Sequence, residues 1–538
     1  MNQSKYGCLV KDDQGKDRIK ITFPYDLDLL EKIRTIPGRL WHKELYCWSA
    51  PLHEESLNML MSFGFELSKK LQDHQNNLVL SRNKIISNGI PGLNGTLYPF
   101  QAVGTSLIND KNGCALLADD MGLGKTIQAI AYLQLHPELR PALIVCPGSI
   151  KFQWEYQLNE WLFDPKVTIL EGETSYRFRG DFIIINYDIL WYWYKRLQDY
   201  NFQIVIFDEA HYLKSSKAKR TKAARKTCSN IPHRIGLTGT PIENRPAEIW
   251  NIADIIQKGI FDTEWHFQGR YCDRRNGRYG LEAKGATHID ELFRILSTTI
   301  MIRRKKEDVL KDLPEKTRSF VPIELENRKE YTFAEDNFIE WVKINKGEQA
   351  AEKIANTQAL SSIEALKQLA VKGKLNKAID WIKDFLESGE KLVVFAIHHF
   401  VIDALKDEFK DIAITIDGRV KFSDREYNVR QFLTNPNIKL CIANIDAGGV
   451  GLNLISASKV AFLELPWSPG KLEQAIDRVH RIGQSQKVIA YFLLARGSVE
   501  MRIAKLLDHK LSIVKRILDG EDVEQTSLLM EIIKSYNH

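Results

Sequence analysis

The 538-residue chain has no apolar run that approaches the ~18 residues a bilayer crossing requires, and Met1 to Cys8 carry no apolar leader core. Both absences predict an intracellular, soluble protein with no membrane partner. The seven cysteines (8, 47, 114, 146, 228, 272, 441) include no Cys-x-x-Cys pair. That argues against a zinc module, and an odd, scattered set fits a reducing compartment. Charge of one sign is scarcely in excess: 75 Lys and Arg against 69 Asp and Glu leave +6. Such a balance permits a nucleic-acid partner without demanding one, because local clustering matters more than the total. Internal repeats and low-complexity tracts are absent too. A chain this long, 44% hydrophobic and 27% charged, is globular and too large for one core, so two to four domains are expected.

Residues 117–126, Leu-Ala-Asp-Asp-Met-Gly-Leu-Gly-Lys-Thr, follow the short apolar run Cys114 to Leu117 and precede the helical pattern Ile127 to Leu133. A strand, a glycine turn and a helix opening on Gly-Lys-Thr cradle a nucleotide triphosphate. Backbone N–H groups at Gly122, Leu123 and Gly124 point at phosphate, and the helix dipole adds to the attraction. Lys125 reaches the β- and γ-phosphates and the Thr126 hydroxyl sits on Mg²⁺. The generic phosphate loop has glycine where this chain has Asp119.

Around that turn the chain divides. Residues 1–87 read as a small α+β unit: Arg18 to Phe23 alternates as a strand, Asp26 to Arg34 is helical, and Trp41 to Pro51 interleaves Trp41, Tyr46 and Trp48 with His42 and Lys43. Those tryptophans either fill a small core or stack bases. Residues 88–96 read as a linker. From Leu97 onward, continuous apolar strands at 142–146, 182–185 and 204–207 alternate with helical or loop segments, and a second set follows at 392–395, 412–416, 440–443 and 460–463. Two tandem parallel α/β units are the simplest account. Roughly 325–388, rich in Glu, Lys, Ala and Leu, is expected to be helical.

Further motifs carry chemistry. Asp208-Glu209-Ala210-His211 ends an apolar strand, which puts two carboxylates at the edge where parallel sheets bind ligands. Asp208 would hold Mg²⁺ and Glu209 would polarise the attacking water. Thr238-Gly239-Thr240 forms a polar turn able to sense that pair. In Gln474 to Gln484, Arg478 and Arg481 stand three apart, on one face if helical, and an arginine meeting γ-phosphate charge is worth ~10³–10⁵ in rate. The glycines of Ala447 to Leu454, Gly451 among them, allow close backbone approach. Lys214 to Lys226 holds seven Lys or Arg and no acid, and Arg303 to Lys306 is a second cluster. Each is either a solvated face or a phosphate-backbone contact.

In this order, the stretches Asp119 to Thr126, Asp208 to His211, Leu237 to Asn244 and Arg478 to Gln484 closely resemble the SWI/SNF-type branch of superfamily-two DNA translocases. That branch has Asp at the 119 position and usually Glu where this chain has Asp120. Ile144 through Glu155, Arg303 through Pro314 and Asp417 through Arg425 match as well. The amino-terminal run Ile21 to Tyr25, Ile36 to Arg39 and Lys43 to Trp48 resembles the HARP domain of annealing helicases. The resemblance implies two tandem RecA-like lobes with helical insertions facing each other across an ATP cleft. Domains would fall at 1–87 (HARP-like, DNA-binding), 97–313 (first lobe), 314–388 (helical insertion and lead-in), 389–510 (second lobe) and 511–538 (helical tail).

By resemblance, Gln101 reads adenine; Lys125, Thr126, Asp208 and Glu209 act from the first lobe, and Arg478 and Arg481 from the second. Gly451 adds to the nucleotide site, and Thr238, Gly239, Thr240 and Gln474 couple it to movement. Lys151, Trp154, Lys214, Lys217, Lys219, Arg220, Trp41 and Trp48 are the candidate DNA contacts. The expected cofactors are ATP and Mg²⁺, and the expected partner is duplex or branched DNA, bound by a monomer. The compartment would be cytoplasmic and nucleoid-associated in a bacterial or phage protein, nuclear in a eukaryotic one. The expected activity is ATP-dependent translocation that anneals strands or remodels forks. A strand-separating helicase and a non-catalytic, ATP-responsive DNA-binding scaffold are the alternatives.

Overall fold

The computed structural model describes residues 5–11, 17–36, 38–242, 246–277, 280–283, 286–344, 352–420, 422–445, 453–505 and 507. Gly451 and the expected tail 511–538 lie outside them. The chain divides between Lys305 and Lys306 into two compact units. Among the described residues no helix is long and apolar enough to cross a membrane.

The first unit opens with a five-stranded sheet of β1 (Tyr6–Lys11), β2 (Asp17–Thr22), β3 (Leu40–His42), β4 (Cys47–Pro51) and β5 (Glu66–Leu67), in the order β3-β4-β2-β1-β5. Alternation in β2 sends Ile19 and Ile21 into a core shared with Leu29, Ile33, Leu57 and Leu60 from two helices. The first of these, Leu27–Thr35, starts where the Asp26 carboxylate accepts the Leu29 N–H at 3.0 Å. Polar composition hides a third helix, Lys69–Asn88, from sequence periodicity.

A seven-stranded sheet follows, built from β6 (Cys114–Leu117), β7 (Ala142–Cys146), β8 (Val167–Ile169), β9 (Phe182–Asn186), β10 (Ile204–Asp208) and β11 (His233–Leu237). A separate hairpin, β12 (Arg274–Gly277) and β13 (Gly280–Ala283), precedes its last strand, β14 (Met301–Ile302). The order is β14-β6-β11-β10-β7-β9-β8, parallel throughout. All five residues of β7 are buried, as a strand covered on both faces must be. Because β6, β11 and β10 are neighbours, the three turns at their carboxyl ends lie side by side.

The second unit holds a six-stranded parallel sheet of β15 (Lys316–Ile323), β16 (Leu392–Ala396), β17 (Ala413–Ile416), β18 (Leu440–Asn444), β19 (Lys459–Phe462) and β20 (Val488–Ala495), in the order β15-β20-β19-β16-β18-β17. Helices Arg328–Ile344 and Glu352–Leu386 occupy the stretch expected to be helical. Strand β15 was not foreseen. It carries Lys316, Arg318 and Pro322, and an edge position tolerates both charge and proline.

His53, which precedes the helix Glu54–Ser62, has both ring nitrogens shut off from solvent without a hydrogen-bond partner among the described residues. It lines a cavity of about 520 Å³ together with Lys111, Phe293 and Arg303. Burial, with Lys111 and Arg18 nearby, pushes its pKa down to about 3. The unfolded chain takes up a proton near pH 6.5 and the folded one does not, so stability falls as pH drops below 6.5 and keeps falling toward 3. At pH 5 this amounts to about 2 kcal/mol at most, by the usual 1.36 kcal/mol per pH unit. Denaturant midpoints measured from pH 7.5 to 5 should therefore flatten in His53→Leu relative to the parent; parallel curves would contradict the assignment.

Candidate nucleotide site

The turn after β6 is shaped by two left-handed glycines, Gly122 at φ +86° and Gly124 at φ +74°. Gly124 is the N-cap of the helix Lys125–Leu135, and a Cβ there would run into the Gln101 amide. Thr126 thus sits in the first helical turn, where N–H groups have no intrahelical acceptor. Lys125 Nζ donates to the carbonyls of Asp119 (2.8 Å) and Asp120 (3.2 Å). Burial lowers the Lys125 pKa, against the opposing pull of Glu209, Asp119, Asp120 and Asp208. Gln101 is buried: its Oε1 accepts the Tyr98 N–H and its amide donates to the Leu123 carbonyl. It is therefore tied to the phosphate loop itself.

Asp119 explains the missing glycine. Its side chain is completely buried and receives Arg304 Nε at 3.0 Å and Gln128 Nε2 at 3.2 Å, with the second Arg304 nitrogen on the other oxygen. A glycine could not hold that arginine.

At the end of β10, Asp208 Oδ2 accepts the Trp154 indole N–H at 2.7 Å and Oδ1 accepts the Glu209 N–H at 2.9 Å. Burial, then Glu209, raises the Asp208 pKa above its ordinary value despite those donors. Glu209 has φ +50° and ψ 55°, a strained conformation for a residue with a side chain. His211 Nδ1 lies 3.3 Å from the Glu209 carboxylate and 3.5 Å from the Thr238 hydroxyl. The Thr238 hydroxyl also accepts the Thr240 N–H at 3.1 Å. A Cβ on Gly239 would run into Met121 and come 3.5 Å from Lys125 Nζ. Three turns distant in sequence therefore meet around Lys125, a set able to hold a triphosphate and a divalent cation and to orient water.

In the second unit the helix Pro469–Ile476, which carries Gln474, stops before Asp477. Arg478 and Arg481 lie in the following turns, so they do not share a helix face. Asp477 organises these turns. Burial would raise its pKa, yet the ammonium groups of Lys306, at 2.8 Å, and Lys316, at 3.6 Å, hold it low. Burial lowers the pKa of Arg481, with Asp477 opposing.

The expected DNA contacts separate. Trp154 is 1% exposed and bonded to Asp208, so it belongs to the carboxylate site and not to a DNA surface. Lys151 is 8% exposed, and its Nζ donates to the Leu170 carbonyl. Lys306 is buried and Arg303 and Arg304 are half-buried, and they pair with Asp477, Asp120 and Asp119, which turns these three members of the second cluster inward. Lys217, Lys219, Lys222 and Lys226 are exposed on and before the helix Lys219–Thr227. Lys214 is partly buried, and Arg220 turns back onto the Tyr212 carbonyl and ring. Trp41 is 47% exposed and packs on the half-buried Trp48, ring centroids 5.3 Å apart.

The family model for the SNF2-related domain matches residues 42–375, and that for the helicase conserved C-terminal domain matches 374–483. The Caenorhabditis elegans SWI/SNF-related matrix-associated actin-dependent regulator of chromatin subfamily A-like protein 1 homolog is 30% identical, over 98% of this chain and 78% of that one. The human DNA annealing helicase and endonuclease ZRANB3 is 34% identical, over 80% of this chain and 41% of that one. This chain likewise spans 45% of the length of the Xenopus tropicalis subfamily A-like protein 1. The Sulfolobus solfataricus SWI2/SNF2 ATPase core in complex with dsDNA is 27% identical, covering 79% of this chain and 94% of its own, at a TM-score of 0.39 that carries no argument about shape. With the phosphate loop, the Asp-Glu strand end and the Thr-Gly-Thr turn gathered at one sheet edge, the chain belongs to the SNF2-related family of helicase-like ATPases.

Proposed function

We propose that the chain hydrolyses ATP in response to DNA and uses the energy to move along duplex DNA, annealing strands or remodelling branched structures. The observation that carries this reading is the convergence of Lys125, Asp208, Glu209 and Gly239 at the carboxyl ends of β6, β10 and β11. Lys125 and the loop N–H groups hold the phosphates. Glu209, kept in a strained conformation beside His211, aligns the water and takes its proton. Thr126 and Asp208 are the residues that fit Mg²⁺, which when bound neutralises phosphate charge. Arg478 and Arg481 supply positive charge that counts most in the transition state. Gln101 contributes to adenine recognition. The worm relative is named a regulator of chromatin and the human one a DNA annealing helicase and endonuclease, which supports a role at DNA and, from the human relative, annealing. The exposed lysines 217, 219, 222 and 226 suit phosphate backbone, and Trp41 with Trp48 suits base stacking.

ATPase rates with single-stranded, duplex and forked DNA decide the matter. Duplex or fork should stimulate at least about tenfold, and the gain should fade as salt rises because phosphate contacts release counterions. Lys125→Ala and Glu209→Gln should lower turnover by about 100-fold or more while DNA affinity stays within about twofold. Parent-level turnover in Glu209→Gln would refute the carboxylate assignment. Trp154→Phe keeps the ring and removes the hydrogen bond to Asp208, so kcat should fall about tenfold with DNA affinity unchanged. A loss confined to DNA affinity would restore Trp154 to the DNA surface. Trp41→Ala should have the opposite signature, weakening DNA several-fold without changing the DNA-independent ATPase rate.

A further inference from the structure

The stretch Ile302 to Lys306 is basic in composition, yet its arginines and Lys306 are directed inward. Ala118 N–H donates to the Ile302 carbonyl at 2.7 Å and Asp120 N–H to the Arg304 carbonyl at 3.0 Å, so the backbone runs beside the phosphate loop. Arg303 reaches the Ala118 carbonyl at 3.0 Å and the Asp120 carboxylate at 3.5 Å. Arg304 grips Asp119 with a forked pair of bonds, donates to the Gln128 side chain at 2.7 Å and reaches the Phe100 carbonyl. A Cβ on Gly104 would strike the Arg304 guanidinium, so the neighbouring helix, Pro99–Asp110, leaves room for it. Two residues later in the chain, Lys306 Nζ donates to the His480 carbonyl at 2.6 Å and pairs with Asp477 at 2.8 Å. Those two residues bracket Arg478 and sit beside Arg481.

We propose that Arg304 and Lys306 are positioning residues for ATP turnover, Arg304 acting through Asp119 on the phosphate loop and Lys306 through Asp477 on the turn that carries Arg478 and Arg481. The proposal rests on the ATPase reading above. Neither residue has to touch nucleotide. A carboxylate held by a guanidinium fork and by Gln128 cannot rotate, and the carbonyl of the same Asp119 accepts Lys125 Nζ. The orientation of that peptide therefore sets where the ammonium stands. Arg304 should govern ATP binding. Lys306 holds a turn rich in guanidinium charge, and should govern the rate at saturating ATP.

The two roles predict opposite kinetic signatures, which general destabilisation would not produce. Removing Arg304 alone would bury an unpaired carboxylate, so the informative variant is the pair Asp119→Asn with Arg304→Gln, which removes both charges. It should melt close to the parent, raise KM for ATP about tenfold, and leave kcat within about threefold. Lys306→Met should lower kcat about tenfold or more, with KM and the affinity for a fluorescent ATP analogue within about twofold. If Lys306→Met does not fold, Asp477→Asn, which keeps an acceptor for Lys306, is read in the same way. A well-folded paired variant with parental KM overturns the role of Arg304. A change in KM but not kcat on Lys306→Met or Asp477→Asn overturns that of Lys306. Lys125→Ala is the reference: if it retains parental turnover, the ATPase reading fails and the proposal with it. If it is silent while the positioning variants behave as parent, only the positioning roles fail.

Discussion

The buried pair of Asp119 and Arg304 is the constraint from which the nucleotide site follows. A carboxylate with no exposure is tolerable only when its lone pairs are met, since the effective penalty for burying an ion is several kcal/mol. Arg304 and Gln128 meet them from two directions. One comes from the segment after β14, the other from the first turns of the helix Lys125–Leu135. The pair therefore staples together the edge strand, the loop and the helix, and the loop closes with Lys125 drawn onto its own carbonyls. A generic glycine at 119 would leave the guanidinium without its partner and the loop without its staple.

The same logic extends around Asp208. Its two oxygens are taken by an indole N–H and a backbone N–H, and the next residue is forced into a left-handed conformation. Strain of that kind costs about 1–3 kcal/mol and persists only where surroundings over-determine it. Here the surroundings are the packed ring of Trp154, the Tyr187 hydroxyl on the Asp208 carbonyl at 2.8 Å, and His211 reaching toward Thr238. The Thr238 turn belongs to β11, which lies between β6 and β10, so sheet order alone makes it the neighbour of both other turns.

What could be read from the sequence was whatever depends on local pattern. Continuous apolar runs marked β7, β9, β10, β16 and β18, because strands buried on both faces leave no room for polar alternation. The glycine turn and the Asp-Glu strand end could be read for the same reason. Partners far along the chain could not. Arg304 lies 185 positions from Asp119, and a run of Arg and Lys looks the same whether it faces water or a buried carboxylate. Trp154, a candidate DNA contact by resemblance, is a similar case: only the fold places its N–H on Asp208. Arg478 and Arg481 would share a face only if helical, and the helix ends at Ile476, beyond which Asp477 is held by Lys306 and Lys316. Strand β15 escaped notice because an edge strand needs no apolar run.

The electrostatics of the site point the same way as its geometry. In a site optimised for the stability of the fold, an ammonium among four carboxylates would have its pKa raised and each carboxylate its pKa lowered. Lys125 and Asp208 move oppositely, Lys125 down through burial and Asp208 up through burial and the neighbouring Glu209 charge, which together outweigh their attraction. The raised Asp208 pKa means that the folded protein loses stability as pH rises through the acid range, since the unfolded chain ionises that carboxyl more readily. Both groups are thus held desolvated, Asp208 with a donor on each oxygen and Lys125 with two carbonyl acceptors. Burial disfavours the charged form of each, and a negative charge brought to Lys125 or a positive one brought to Asp208 would offset that cost. The Asp119–Arg304 pair, with donors on both carboxylate oxygens, holds the loop on which Lys125 depends.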